Sequence, residues 1–249
     1  MFLYLPYNTF LHRLHPATKL IGLILLLVVT VAFTTPAEQL PGLGFVLGLA
    51  VLSRSLSNLR RILPLVVTIM LFSSTTWSLF RRVGVPFWSF GPLSLSRESI
   101  QYGLAMGIRL DAMLLSGMVF VSCTKVEEFA FGLRALGLPF PVSFALSLAF
   151  RLVPLFFTRI GIVVQAQQSR GLDLQTGHLL QRARKYVPLL VPIFIYAIRD
   201  TDLLAMALES KGFGMRGTRT EYLRFPFGWR DAAIIAALLA ADVIAWSGR

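Results

Sequence analysis

Charged residues are scarce in this 249-residue chain, where they make up 14% of the sequence. A soluble globular domain of this size carries about a quarter. Apolar residues account for 55% of the chain. This composition argues against an ordinary soluble domain and predicts an integral membrane protein built from helices.

Catalytic and metal-binding signals are also scarce. Cys123 is the only cysteine, so neither an intrachain disulfide nor a cysteine-based zinc site can form. The sequence has no Gly-x-x-x-x-Gly-Lys-Ser/Thr loop for ATP phosphates and no Gly-x-Ser-x-Gly nucleophile motif. His12 and His15 have helix-face spacing but no third ligand nearby, so we expect a juxtamembrane surface role for them. We therefore predict a non-catalytic chain that binds no metal or cofactor of its own.

Acidic residues are half as numerous as basic ones, 12 against 24, which gives a formal net charge of +12. The cations lie beside apolar spans rather than among aromatic residues on one soluble face, so nucleic-acid binding is not indicated. Their placement fits the positive-inside rule. Fourteen of the 24 lie between Lys125 and Arg230, and we predict that this region faces the cytoplasm.

Five apolar segments are predicted to span the membrane, some of them slightly short for a bilayer: about Leu20–Thr35, Pro41–Leu52, Ile62–Phe80, Ile100–Val121 and Ala232–Trp246. A loop is predicted over residues 81–99. A short amphipathic helix, N-capped by Thr124, is predicted to start at Lys125 and to end at Gly137. The predicted domains are residues 1–124 with the N-terminal spans, 125–230 on the cytoplasmic side, and 231–249 with the C-terminal span.

Two charges fall inside the fourth predicted span, Arg109 and Asp111. Intramembrane charges suggest function by default. Two positions apart on a helix, the two side chains point to different sides and make poor partners for each other. We favour snorkelling or interhelical hydrogen bonding for them, and the alternative is the path of a stand-alone channel or secondary carrier.

Two long apolar segments of similar design occupy residues 142–224. The first closes on Ser169-Arg170-Gly171 and the second on Ser210-Lys211-Gly212. Each predicts a helix that ends with glycine in the left-handed C′ position, a cation in the last turn and a hydrophobic residue just beyond. One such end is ordinary capping, whereas two in tandem leave capping and function as equal alternatives. Charged residues within both segments favour amphipathic helices that lie along the membrane face over helices that cross the membrane.

Several motifs match one known family. LHRLHPATK at residues 11–19 is similar to an opening signature that usually has Asp where His15 stands. The first of two further motifs corresponds to Ala149–Pro154 and Gln165–Gly171. The second corresponds to Pro188–Pro192, Arg199-Asp200 and Ala205–Gly214, followed by Arg219-Thr220. Over nearly its whole length the sequence thus resembles the transmembrane (T) subunit of energy-coupling factor (ECF) transporters, the EcfT/CbiQ/BioN-like family.

The resemblance implies a multi-pass, non-catalytic subunit of the prokaryotic cytoplasmic membrane. Its implied partners are two ABC-type ATPase subunits, which bind ATP-Mg, and a substrate-binding membrane (S) subunit for a vitamin such as biotin or for cobalt or nickel. Ser169-Arg170-Gly171 and Ser210-Lys211-Gly212 correspond to the family's ATPase-coupling tips, usually Ala-Arg-Gly. Lys211 stands where the second tip usually has Arg. Its ammonium group keeps the positive charge but cannot bind a carboxylate in the bidentate manner of a planar guanidinium.

Two interpretations from other classes stay open. A stand-alone channel or carrier would conduct its substrate without partners. A membrane-surface scaffold held by basic residues would bind anionic lipid with a steep salt dependence.

Overall fold

The computed structural model describes residues 4–7, 9–33, 35–81, 84–85, 87–90, 93–173, 176, 178–215 and 225–247. The motif residues Arg219 and Thr220 lie outside this part of the chain. The chain divides into two compact units, one of residues 1–143 with 225–249 and the other of residues 144–224.

The described residues form mostly helix. The first unit contains α1 (Pro16–Ala32), α2 (Pro36–Leu52), α3 (Leu56–Phe80), α4 (Arg97–Cys123), α5 (Val126–Ala135) and α8 (Trp229–Ser247). Helix α6 (Phe140–Ser169) begins there and continues into the second unit, which also contains α7 (Leu179–Ser210). A small antiparallel hairpin of β1 (Trp88–Phe90) and β2 (Leu93–Leu95) lies within the predicted loop. The prediction of an all-α membrane protein is confirmed, with this hairpin as an addition.

Helices α3, α4 and α6 are long and apolar enough to cross a membrane, judged over the described residues. Helices α1 and α2 are apolar but have 17 residues each, as the short predicted spans suggested. Helix α8, which we predicted as the last span, is not among the three. Helix α6 is among them by length and composition, although its charges favoured a position along the membrane face.

The start of α1 is capped by a histidine side chain. His15 is the N-cap, and its Nδ1 accepts a hydrogen bond from the Ala17 N–H at 3.1 Å. Its own N–H donates to Asp231 Oδ1 at 2.8 Å, and the residue is buried. The expectation of a surface role for His15 is therefore wrong, because the imidazole nitrogen serves as the cap acceptor. His12 lies beside Thr9, with 2.7 Å between His12 Nδ1 and Thr9 Oγ1.

Helix α5 starts one residue later than the sequence suggested. Its N-cap is Lys125, and no side chain caps it. Thr124 is instead the extended C-cap residue of α4, so it is not free to cap the next helix. Glu127 and Glu128 do lie in the first turn, where carboxylates complement the helix dipole.

A buried ammonium group joins three parts of the first unit. Lys19 Nζ donates to the His12 carbonyl at 2.9 Å, to the Cys123 carbonyl at 3.0 Å and to Glu128 Oε2 at 2.8 Å. The Lys19 and Glu128 side chains are only 6% and 15% exposed. All three ammonium donors are used, so Lys19 ties the N-terminal segment and the end of α4 to α5.

Close packing in the first unit depends on small residues. A Cβ added at Gly103 of α4 would lie 2.5 Å from the Ser74 carbonyl oxygen of α3. Small residues at such positions let the backbones of membrane helices approach closely. On another side α4 packs against α2 through a buried cluster that includes Val46, Leu115 and Val119.

Lys19→Met should destabilise the first unit by about 3–5 kcal/mol, because it leaves the Glu128 carboxylate buried without its cation. Thermal unfolding of the purified protein in detergent measures the loss. Lys19→Met with Glu128→Gln should recover part of it. Arg60→Met, at an exposed position of α3, is the matched control and should be close to neutral. A Lys19 variant as stable as this control would contradict the role of the ammonium group.

Candidate functional site

The C-terminus of α6 has the geometry that its sequence predicts. Gly171 has φ of +91°, and its N–H donates to the Gln168 carbonyl at 2.9 Å. The Leu172 N–H donates to the Gln167 carbonyl at 3.0 Å. These two bonds form a Schellman motif, in which glycine takes the left-handed position. Leu172 packs against the buried pair of Val163 and Leu189, which confirms the hydrophobic residue beyond the glycine.

The C-terminus of α7 repeats this arrangement. Gly212 has φ of +77°, and its N–H donates to the Glu209 carbonyl at 2.9 Å. The Phe213 N–H donates to the Leu208 carbonyl at 2.9 Å. The Phe213 ring packs on Phe144 at the start of the second unit, with 4.6 Å between ring centroids. Both predicted glycine-terminated helix ends are therefore confirmed, but Arg170 and Lys211 follow the last helical residue rather than lying in the last turn.

A third helix ends in the same way but without a cation next to its glycine. Gly137 after α5 has φ of +108°, and its N–H donates to the Arg134 carbonyl at 3.0 Å. The residue before this glycine is Leu136. The Schellman motif is thus a general way for this chain to stop a helix. The feature that sets α6 and α7 apart is the cation that precedes the glycine.

Neither charged side chain caps its helix, although Lys211 is the C-cap residue of α7 through its backbone. Arg170 and Lys211 are exposed, and within the described residues their side chains form no hydrogen bond or ion pair. Backbone N–H groups already donate hydrogen bonds to carbonyl oxygens of the last turns. The neighbouring serines bond back to their own helices, Ser169 Oγ to the Gln165 carbonyl and Ser210 Oγ to the Ala207 carbonyl. The charged groups are therefore available to an external partner.

Helices α6 and α7 run antiparallel within the second unit. Phe144 contacts Phe213, Arg159 pairs with Asp200, and Val163 packs with Leu189 and Ile193. Residue numbers rise along α6 as they fall along α7, so the two C-termini lie at opposite ends of the pair. At 1.5 Å per residue, each tip lies about 16 Å along its helix from the Arg159–Asp200 pair, so Arg170 and Lys211 are roughly 35 Å apart.

The ion pair between the helices was not predicted from the sequence. Arg159 Nε lies 3.9 Å from Asp200 Oδ2, with the side chains 45% and 30% exposed. The sequence analysis treated both residues as charges that interrupt apolar segments. A signal was present, because residues of opposite charge stand 11 positions before Arg170 and before Lys211.

The second unit exposes much apolar surface. Val163 and Leu189 are its only buried apolar side chains among the described residues. Several large apolar residues are more than half exposed, including Phe157, Phe194, Ile195 and Ile198. Contiguous apolar surface of this kind is covered by lipid or by another protein in its working state.

The intramembrane charges Arg109 and Asp111 are used differently. The Arg109 Nη2 donates to the Phe33 carbonyl at the end of α1, which confirms interhelical hydrogen bonding for this residue. Asp111 is buried, and its Oδ1 has no hydrogen-bond partner among the described residues. Among those residues no group of three His, Cys, Asp or Glu side chains is placed to hold a metal ion.

Comparison with known proteins supports one family. The model of the CbiQ family, described as cobalt transport protein, matches residues 7–222. The energy-coupling factor transporter transmembrane protein EcfT of Thermosediminibacter oceani is 33% identical over 97% of this chain and 95% of its own. EcfT of Brevibacillus brevis is 26% identical over 98% and 96%. A putative ABC transporter ATP-binding protein of Bifidobacterium longum is 26% identical over 94% of this chain and 31% of its own.

Gly171→Ala should destabilise the end of α6 by roughly 1 kcal/mol, because a Cβ disfavours the left-handed conformation. Open space surrounds the position, so the loss would come from backbone strain alone. Gly161→Ala is the matched control: it lies inside α6, also in open space, and should be neutral or stabilising by up to about 1 kcal/mol. Hydrogen exchange of residues 165–172 measures both effects. Equal protection in the two variants would contradict the capping geometry.

Arg159→Asp should weaken the pairing of α6 with α7, because it places two carboxylates opposite each other. Asp200→Arg should do the same, and the double exchange should restore most of the loss, with a coupling energy of about 0.5–1 kcal/mol for this half-exposed pair. Thermal unfolding in detergent gives the double-mutant cycle. Arg151→Asp on the same helix is the control, and strictly additive effects would argue against the ion pair.

Proposed function

This chain belongs to the CbiQ family and is a transmembrane energy-coupling component of ECF transporters, and we propose that its two cationic helix tips receive the motion of partner ATPases. In this proposal the tips are Ser169-Arg170-Gly171 and Ser210-Lys211-Gly212. The motion passes along α6 and α7 to a substrate-binding membrane subunit. The chain itself performs no catalysis, and ATP-Mg binds to the ATPases.

The observation that carries the proposal is the pair of unused cations. Arg170 and Lys211 each stand at the end of a long helix, exposed, next to a glycine that stops the helix at once. A positive group in this position suits an acidic groove on a soluble partner. The loss of a desolvated charge contact of this kind raises the free energy of binding by about 2–5 kcal/mol.

The separation of the tips fits two ATPase subunits rather than one contact point. Because Arg170 and Lys211 lie at opposite ends of the antiparallel pair, each can engage a different subunit. Closure of the ATPases would then change the distance between the two attached tips. The Arg159–Asp200 pair and the Val163–Leu189 contact join the helices near their middle, so movement at the tips turns one helix against the other.

The Bifidobacterium relative supports an ATPase partner independently. That protein is named as a putative ABC transporter ATP-binding protein, and this chain matches 31% of its length. A segment similar to almost the whole of this chain thus occurs within the same polypeptide as an ATP-binding protein. Physical continuity in that protein favours direct contact between the corresponding parts here.

The exposed apolar surface of the second unit supports a membrane partner. Side chains such as Phe194, Ile195 and Ile198 are more than 60% exposed, which suits a subunit that is itself apolar. We assign the cargo, a vitamin or a cobalt or nickel ion, to that partner. The assembly would lie in a prokaryotic cytoplasmic membrane, with the cationic tips on the cytoplasmic side.

Arg170→Glu and Lys211→Glu should each reduce association with the ATPase subunits by at least about tenfold, because they reverse the charge that the acidic groove accepts. Co-purification of the tagged variant from its native membrane measures association. Arg184→Glu is the matched control: it is an exposed arginine near the start of α7, and its charge reversal should leave association unchanged.

Two results would contradict the proposal. One is normal co-purification of an Arg170→Glu, Lys211→Glu double variant with its ATPases. The other is substrate flux into vesicles that contain this chain alone, which would support the stand-alone carrier.

A further inference from the structure

The first unit contains an apolar cleft between its helices. The cleft has a volume of about 270 Å³ and is lined by side chains of α1, α2, α4 and α8, among them Leu23, Leu49, Val119 and Leu238. Almost all of its walls are hydrocarbon. Such a cleft suits a hydrocarbon chain, and its walls alone do not identify the molecule that carries this chain.

A polar cavity adjoins one end of the cleft. It has a volume of about 480 Å³, and its lining includes Arg13, Trp229, Arg230 and Asp231. Phe10 and Leu14 line both cavities, so the two are neighbours that share a wall. Together they form one site that is apolar at one end and basic at the other.

The guanidinium groups of Arg13 and Arg230 at the basic end can bind a ligand. Among the described residues the wall contains one carboxylate, and it is already engaged: Asp231 Oδ1 accepts the His15 N–H at 2.8 Å, and Oδ2 accepts the Gly228 N–H at 3.0 Å. Arg13 is exposed, with no side-chain partner among the described residues. Arg230 lies over the Trp229 ring at 5.7 Å and keeps its edge donors.

We propose that this composite site binds one anionic phospholipid, with an acyl chain in the cleft and the phosphate between Arg13 and Arg230. Guanidinium groups bind phosphate oxygens in a bidentate manner, and tryptophan is enriched at the headgroup level of membranes. Arg230, which lines the same cavity as Arg13, ends the region predicted to face the cytoplasm, where anionic lipids are concentrated. Free phosphate would leave the cleft unexplained, and an apolar partner helix would leave the two arginines unexplained.

Native mass spectrometry of the full chain in detergent, titrated with phosphatidylglycerol, tests the proposal. The wild type should retain one phosphatidylglycerol, at least about tenfold more tightly than phosphatidylcholine. Arg13→Ala with Arg230→Ala should lose this preference. Arg60→Ala with Arg61→Ala, a matched pair of exposed arginines at the start of α3, should bind as the wild type does. Equal retention by the two double variants would overturn the proposal.

Two further experiments identify the molecule that occupies the cleft. Ala237→Trp should fill the exposed mouth of the cleft and reduce phosphatidylglycerol retention at unchanged thermal stability, and inorganic phosphate should not displace the lipid. A photo-crosslinking amino acid in place of Ala237, in the transporter assembled in its membrane, should label lipid. Displacement by phosphate, or crosslinking to a partner subunit instead of lipid, would refute the lipid assignment. Association of the Arg13→Ala, Arg230→Ala variant with ATPases tests coupling separately, since these arginines are remote in sequence from both tips.

Discussion

The left-handed backbone at Gly171 and Gly212 is the constraint on which the proposed coupling site depends. A helix leaves its last carbonyl groups without partners, and a cation in the last turn commonly supplies one. In α6 and α7 the backbone N–H groups of the glycine and the next residue satisfy these carbonyls instead. The cation is thereby released from the helix that carries it. The same cap follows α5, where Leu136 rather than a cation precedes the glycine, so the cap geometry forms without a charge at that position.

Local signals in the sequence could be interpreted correctly because they are settled within a few residues. The glycine that ends each long helix and the acidic first turn of α5 depend on neighbouring backbone groups alone. The cap assigned to Thr124 failed because α4 continues to Cys123 and uses this residue as its own C-cap. The role assigned to His15 failed because its burial depends on a residue 216 positions away, Asp231.

The arrangement of the tips could not be predicted in the same way. The motifs identify Arg170 and Lys211 as a pair, and composition indicates that α6 and α7 are long. The distance between the tips depends on how the helices pair, which is fixed by the non-local contacts Phe144–Phe213 and Arg159–Asp200. Opposite charges at equal distances from the tips hinted at the ion pair, but many other pairings satisfy so short a pattern.

The second unit combines two long helices with few contacts between them, and the proposed coupling function depends on this combination. Helices of 30 and 32 residues are continuous, although Pro154 in α6 and Pro188 and Pro192 in α7 each remove one internal hydrogen bond. The joint consists of a half-exposed ion pair and a cluster around two buried residues, Val163 and Leu189. A half-exposed pair contributes at most about 1 kcal/mol in water, so a partner that prefers one crossing angle can shift the balance between arrangements. A well-packed core between α6 and α7 would resist that shift and would oppose the movement that the proposed coupling requires.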